Sequence, residues 1–146
     1  MIGRLLGIDH GIARIGVAVS DALGITATEL RIIERKSKAE DFALLNQIAQ
    51  EEGVVAIIVG MPNNNVPEGV YSQADTVRLW IERLQATTPL PIVEWDEQLS
   101  SIDATEIAKR HGRNVRDHID DLAARVILQS YLNALNDGLA TLPPRP

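Results

Sequence analysis

Apolar and polar positions alternate along the chain in two periods, one typical of strands and one typical of helices. Two apolar runs rich in β-branched residues come first, with a short glycine-containing turn between them, and this arrangement predicts a hairpin. A third alternating run follows, and after it segments of helical spacing alternate with apolar runs. The predicted strands cover residues 4–9, 15–21, 28–33, 54–60 and 92–95, and the predicted helices cover 38–53, 70–84, 100–112 and the segment that begins near 117.

This order of elements implies an α/β fold with a five-stranded mixed sheet, antiparallel at one edge and covered by helices on both faces. Ligands of such sheets usually bind beyond the carboxyl ends of the parallel strands. Asp9 ends the first strand and Glu97 lies just past the last, so a central first strand parallel to the last brings both acids to one edge. Because adjacent residues of a strand point to opposite faces, we expect His10 to be a turn residue that faces away from Asp9.

The bulk composition is that of one globular domain. We expect residues 1–138 to form this domain and the proline-containing segment 139–146 to be a flexible tail. The chain has no cysteine, which excludes disulfides and thiolate metal sites. Its apolar runs are far shorter than the roughly 20 residues of a membrane helix, and its N-terminus lacks the pattern of a signal peptide. A cytoplasmic protein without a membrane partner is therefore expected.

The charged residues are unevenly distributed along the chain. The net charge of −6 argues against nonspecific binding of nucleic acid, but residues 109–116 hold four of the 14 Lys and Arg residues and no acid. This segment is either a solvated helix end followed by a loop or a surface that contacts phosphates. Aromatic residues make up only 3% of the chain, which disfavours a groove that stacks single-stranded bases.

Several acids at the predicted sheet edge suggest a site for divalent cations. The candidates are Asp9, Asp96, Glu97, Asp120 and Asp121. Oxygen ligands of this kind suit Mg²⁺ or Mn²⁺, and two such ions are the usual machinery of phosphodiester cleavage. The acids also have structural explanations, since Asp9 can begin a turn, Glu97 can be a surface residue and Asp120 can stabilise the positive end of a helix.

Four sequence blocks carry a family resemblance. They are GIDHGIARIGVAVSD, IIVGMP with EG after it, DEQLSS and IDDLAARVILQSYL, in that order over residues 5–132. Together they resemble the YqgF family, also called RuvX, of Holliday-junction resolvases and pre-16S ribosomal RNA nucleases. The resemblance implies a ribonuclease H-like fold, whose mixed sheet has one antiparallel strand, and a metal-dependent nuclease.

The resemblance also assigns residues by their positions in these blocks. Asp9, Glu97 and Asp120 match the family's catalytic acids and ligands of Mg²⁺ or Mn²⁺, while Asp121 and Asp96 are kept as alternative metal ligands. The implied activity is endonucleolytic maturation of the 5′ end of precursor 16S rRNA, with precursor rRNA and ribosomal particles as partners. Cleavage of branched DNA such as a Holliday junction is the alternative within the same chemistry.

Polar residues near the same edge are candidate contacts for the substrate. These are Arg14, Asn63, Asn65, Ser100, Ser101, Arg110, Arg113 and Arg116. The asparagines also suit a turn, and the serines also suit a helix cap. Two positions depart from the family pattern, because Ala13 stands where Lys is usual and Gln98 stands where Arg is usual. Both departures remove a positive charge near the expected phosphate, and neither removes a metal ligand.

Two other classes of function stay open at the level of sequence. The first block also resembles the phosphate loop of actin-like and sugar-kinase-like proteins, which close two such domains over a nucleotide, whereas 146 residues supply one. The other class is a catalytically weak binding module for nucleic acid, which the lost charges at Ala13 and Gln98 favour. Nucleotide binding would distinguish the first class from a nuclease. Metal-dependent cleavage would distinguish a nuclease from the second class.

Overall fold

The computed structural model describes residues 2–62, 72–96 and 119–144, with the backbone alone for 119–121. Within these ranges the elements are β1 (Leu5–His10), β2 (Arg14–Ser20), β3 (Ala27–Glu34), α1 (Lys38–Glu52), β4 (Ala56–Met61), α2 (Gln73–Gln85), β5 (Ile92–Asp96) and α3 (Ile119–Asn136). The predicted helix over 100–112 lies outside the described residues.

The described strands form one five-stranded sheet in the order β3-β2-β1-β4-β5. β2 is antiparallel to both of its neighbours, whereas β1 is parallel to β4 and β4 is parallel to β5. One apolar cluster lies between the sheet and the pair α1 and α2, and a second lies between the sheet and α3. The predicted mixed sheet, with a central β1, one antiparallel strand and helices on both faces, is therefore confirmed.

Two predicted boundaries shift because helix caps include residues that the sequence pattern assigned to neighbouring elements. Gly53 ends α1 in the left-handed conformation, with φ of 63°, and the N–H of Val54 still donates into the last turn of α1. For this reason β4 begins two residues later than predicted. α2 begins three residues later than predicted because Ser72 caps it, with Asp75 accepting a hydrogen bond from the Ser72 N–H in return.

α3 packs closely on the sheet because the residues beneath it have small side chains or none. A Cβ atom at Gly7 would stand 2.7 Å from the Cβ of Leu128 and 3.1 Å from the carbonyl oxygen of Ala124. A Cβ atom at Gly60 would collide with the side chain of Ile127. These contacts fix the distance between α3 and the two central strands, β1 and β4.

The first residues of the predicted tail contact α3. The Tyr131 hydroxyl donates a hydrogen bond to the carbonyl of Thr141 at 2.7 Å, and the N–H of Leu139 donates to the carbonyl of Ala134. The domain boundary at 138 and the flexibility of the tail stay predictions.

Within the described ranges, no helix combines the length and apolar character needed to cross a membrane.

Candidate active site

Asp9 lies at the carboxyl end of the central strand, one residue before β1 ends. Asp9 is only 8% exposed, and burial to this degree is uncommon for an aspartate. Gly16 of β2 is its direct partner in the antiparallel register. The parallel register pairs Ile8 with Val59, so Gly60 is the next position of β4 on the other side. The Asp9 carboxylate is thus held at the sheet edge with glycine at the neighbouring position of both flanking strands.

The first turn of α3 lies over this edge because α3 runs antiparallel to β1. Gln129 bonds Ala27 at the start of β3, whereas Arg125, closer to the start of α3, reaches Glu29 further along β3, and β3 is parallel to β1 because both are antiparallel to β2. At Gly7 of β1 the neighbouring helix residue nearer the start of α3 is Ala124. Asp9 lies on the same face two residues further on, about 6.6 Å along the strand, and this distance equals about four residues of helix. Continuing from Ala124 by that distance leads to the first turn of α3.

The backbone of that first turn includes Asp120 and Asp121, so the structure brings both positions to the edge that carries Asp9. The side chains of these two acids lie outside the described part of the chain. The other predicted site residues outside it are Glu97, Asn63, Asn65, Ser100, Ser101, Arg110, Arg113 and Arg116. In the part that is described, no three His, Asp or Glu side chains come together as a metal-binding group.

Asp96 lies at the same edge as Asp9 but on the opposite face. Its neighbour Trp95 packs edge to face against Tyr131 of α3 and donates its indole N–H to the Ser130 hydroxyl at 3.1 Å, so Trp95 is on the α3 face. Alternation along β5 then places Asp96 on the face of α1 and α2. The register therefore disfavours Asp96 as a ligand to a metal bound by Asp9.

Arg14 is the predicted substrate contact that falls within the described residues. It begins β2 two positions from Gly16, the partner of Asp9, and it therefore shares the Asp9 face. Its guanidinium pairs with Glu34 at 3.1 Å, but the two side chains are 52% and 72% exposed. Since a pair this exposed contributes at most about 1 kcal/mol, a phosphate can replace Glu34 as the partner of Arg14.

His10 is the last residue of β1 and faces α2, where its ring lies 4.7 Å from that of Trp80. Its predicted orientation away from Asp9 is confirmed, but its assignment to the turn is wrong because it pairs with Ile15 in the β1–β2 ladder. Burial lowers the pKa of His10 to about 4, with the charges of Arg35 and Lys38 acting in the same direction. The imidazole is therefore neutral near pH 7.

Comparison with known proteins gives consistent matches over nearly the whole chain. The family model RuvX, described as Holliday junction resolvase, matches residues 3–134. A protein of Symbiobacterium thermophilum named "Putative pre-16S rRNA nuclease" is 43% identical over 138 residues, which cover 90% of this chain and 92% of that protein. A protein of the same name from Syntrophus aciditrophicus is 39% identical over 137 residues, covering 91% of this chain and 90% of its own.

A solved structure shares the fold despite low sequence identity. RuvC of T. thermophilus in complex with a Holliday junction substrate matches with a TM-score of 0.64 and 12% identity, over 94% of this chain and 97% of the RuvC chain. At this identity the likeness concerns the architecture alone. It confirms the ribonuclease H-like fold predicted from the sequence blocks.

Proposed function

The chain belongs to the RuvX family, and we propose that it is a metal-dependent endonuclease that hydrolyses phosphodiester bonds in nucleic acid. The observation that carries this proposal is the buried carboxylate of Asp9 at the carboxyl end of β1, with the start of α3 above it. This edge is where open α/β sheets bind their ligands. A carboxylate oxygen at this edge is a suitable ligand for a divalent cation.

The proposed metal ligands are Asp9, Glu97 and Asp120, and their chemistry fits Mg²⁺ or Mn²⁺. All three offer carboxylate oxygens, which both ions prefer, and the chain has no cysteine that would favour zinc. A bound pair of such ions supplies Lewis-acid stabilisation of the phosphate and an activated water. The protein's part is to hold its carboxylates in place, which the central position of β1 does for Asp9.

The geometry of α3 favours Asp120 over Asp121 as the third ligand. Successive residues of an ideal helix are about 100° apart around its axis. Position 120 falls between Ala124, which packs on β1, and Ile127, which packs on β4. Position 121 falls between Leu128, which packs on β1, and Arg125, whose guanidinium reaches Glu29 of β3 at 3.1 Å. The position of Asp120 therefore lies over β1 and β4. Strand β4 is the neighbour of β5, the strand after which Glu97 comes in the sequence.

Basic and polar side chains around this edge are proposed to hold the phosphates on either side of the cleaved bond. Arg14 stands on the Asp9 face with an exposed and replaceable partner. Contacts of this kind fix the position of a nucleic acid without reading its sequence. The remaining proposed contacts are Asn63, Asn65, Ser100, Ser101, Arg110, Arg113 and Arg116.

The proposed substrate is precursor 16S rRNA, cleaved during maturation of its 5′ end in the cytoplasm, with ribosomal particles as partners. The names of the two relatives support this choice. Branched DNA is the second candidate. It is supported by the description of the family and by the fold shared with a RuvC structure that contains a Holliday junction.

The test is cleavage of precursor 16S rRNA, linear RNA and four-way DNA junctions by wild type, Asp9→Asn and Asp96→Asn. Each reaction is run with Mg²⁺, with Mn²⁺ and with a chelator. Both substitutions remove one negative charge from the same sheet edge, but only Asp9 lies on the α3 face. We expect Asp9→Asn to weaken the metal site and so to lose several kcal/mol of transition-state stabilisation. Because each 1.4 kcal/mol corresponds to about tenfold in rate, the rate should fall by about a hundredfold or more.

We expect Asp96→Asn to cleave at a rate close to that of wild type. The preferred substrate decides between RNA and DNA. Cleavage that survives the chelator, or that Asp9→Asn and Asp96→Asn reduce equally, contradicts the proposed site. Wild type that binds these nucleic acids but cuts none of them with either metal points to the non-catalytic binding module instead.

A further inference from the structure

A small cavity on the face of α1 and α2 has a composition unlike the rest of this acidic chain. It holds about 220 Å³ and is lined by His10, Arg35, Lys38, Thr76, Leu79, Trp80 and Arg83. His10 places it at the same sheet edge as Asp9 but on the opposite face. A cavity of this size is below the roughly 300–1,000 Å³ of sites for drug-sized ligands, and it suits a single phosphate group better than a whole nucleotide.

The charged side chains that line this cavity are positive in the part of the chain that the structure describes. Arg35, Lys38 and Arg83 contribute three cations, and no Asp or Glu of that part lines the cavity. Within the described residues, neither Lys38 nor Arg83 forms an ion pair. Three cations converge here although the chain carries a net charge of −6. Such a local concentration of one sign attracts anions.

Arg35 is fixed in place by the backbone around it. Its Nη1 donates to the carbonyls of Gly11 and Ile12 in the β1–β2 turn, at 2.9 and 3.1 Å. Its Nε lies 4.0 Å from the buried carboxylate of Asp41, at the limit of an ion pair. A guanidinium held by two carbonyls keeps its orientation without a bound ligand. The wall of the cavity is therefore already formed.

Two buried nitrogen atoms of the cavity lining make no hydrogen bond. His10 Nε2 and Trp80 Nε1 are the buried side-chain polar atoms of the described residues that have no partner. Trp80 is 2% exposed, so water does not satisfy its indole N–H from the bulk. A buried indole N–H without a partner is rare in native proteins, and an ion or water in an adjoining cavity is a usual explanation. Trp80 lines this cavity together with the three cations.

We propose that this cavity is a phosphate-binding subsite, with Lys38 and Arg83 as the exposed cations that capture the anion and Arg35 as the preformed one. The ligand is a phosphate group, supplied either as the free anion or by the backbone of a nucleic acid that crosses the edge of the sheet. The proposal does not depend on Asp9 or on catalysis. It can therefore hold if the proposed nuclease activity fails, and it can fail while that activity holds.

The first measurement follows the two indole N–H resonances of the ¹⁵N-labelled protein during titration with inorganic phosphate, using chloride at matched ionic strength as the control. The chain has two tryptophans, and Trp80→Phe assigns their signals. We expect a saturable shift of the Trp80 signal. The Trp95 indole, which is bonded to Ser130 on the other face, is the internal control. A Trp80 signal that does not move, or that moves no more than Trp95, overturns the proposal.

The second measurement compares Arg83→Ala with Arg78→Ala, which removes the same charge from the same helix. Arg83 and Arg78 are both exposed, so neither substitution should prevent folding, and Arg78 instead pairs with Glu94 outside the cavity at 3.1 Å. We expect Arg83→Ala to weaken phosphate binding by about tenfold, as expected for a lost hydrogen bond to a charged group. Arg78→Ala should bind as wild type does. Equal weakening by the two variants means nonspecific charge attraction and overturns the proposal.

Titration with a short RNA then distinguishes the two sources of phosphate. If the RNA backbone fills the subsite, Arg83→Ala weakens RNA binding more than Arg78→Ala does. It also reduces the steepness of the decrease in log affinity with log salt by about one, which is the effect of one lost phosphate contact. If RNA binding is unchanged while phosphate binding is lost, the subsite takes the free anion.

Discussion

The substitution Gly7→Ala tests whether the close packing of α3 on the sheet holds the fold and the site together. Gly7 lies in the middle of the central strand, where the added Cβ would stand 2.7 Å from the Cβ of Leu128 and 3.1 Å from the carbonyl oxygen of Ala124. Both atoms belong to, or are bonded directly to, the helix backbone. A change of side-chain rotamer cannot relieve the contact, so α3 itself has to move away from β1.

The expected loss of stability follows from two opposing terms. Overpacking of a close-packed core costs about 1–3 kcal/mol, and a contact with backbone-fixed atoms belongs at the upper end of that range. Replacing a strand glycine returns about 0.5–1 kcal/mol by restricting the unfolded chain. The net loss in the free energy of unfolding is therefore about 2 kcal/mol. For a domain of this size it corresponds to a decrease in Tm of about 4–8 °C.

The assay is urea unfolding followed by circular dichroism, with Gly53→Ala as the matched control. Gly53 has a left-handed φ of 63° and a Cβ there would meet nothing within 4 Å, so this change costs only about 1 kcal/mol of backbone strain. In folded Gly7→Ala we also expect the nuclease rate to fall by about a hundredfold, because a displaced α3 separates its first turn from Asp9. A smaller loss of stability than in Gly53→Ala, with cleavage unchanged, would refute the packing explanation.

Two further substitutions test local features of the described structure. Ser72→Ala removes the hydroxyl that accepts the Asp75 N–H at the start of α2, and it should lower the free energy of unfolding by about 1 kcal/mol in thermal or urea unfolding. Asp21→Asn concerns a carboxylate whose pKa is lowered because it accepts the N–H groups of Thr26 and Ile25. The pKa of Asp21 is lower in the folded than in the unfolded state. The wild-type carboxylate therefore stabilises the fold at pH values above its unfolded pKa, and this stabilisation is lost as the pH falls through the folded pKa. Asp21→Asn should therefore show a smaller decrease in stability between pH 5 and pH 2 than wild type, and equal slopes would contradict this assignment.

The sequence predicts the sheet well because its strands differ clearly in pattern. The continuous apolar run before Gly60 marks a strand covered on both faces, and the run that ends at Asp9 marks the central strand. Strand order then follows from the short hairpin connections and the crossover helices. The boundaries are less predictable, since an apolar residue such as Val54 can extend a strand or complete a helix cap. Which of the two occurs depends on the left-handed Gly53 before it.

The candidate site is predictable where chemistry and strand position coincide, and less so where three-dimensional packing decides. Asp9 is found because an acid at the end of an apolar strand is unusual. The basic cavity has no comparable signal, because its cations come from the residue after β3, from α1 and from α2. One signal was available, since alternation along β1 predicts that His10 faces those helices. What it meets there, the buried indole of Trp80, follows only from helix packing.

The alternation of β1 also explains why two sites of opposite charge can lie at one edge of the sheet. Asp9 and His10 are consecutive residues, and their side chains leave the sheet on opposite faces. A guanidinium 4 Å from the Asp9 carboxylate would interact with it by about 4 kcal/mol at the effective dielectric of a protein surface, and it would compete with a metal ion for that carboxylate. Placing Arg35, Lys38 and Arg83 on the His10 face puts the backbone of the sheet between these cations and Asp9. The phosphate site and the metal site that we propose for this edge are therefore compatible, because consecutive residues of β1 place them on opposite faces of the sheet.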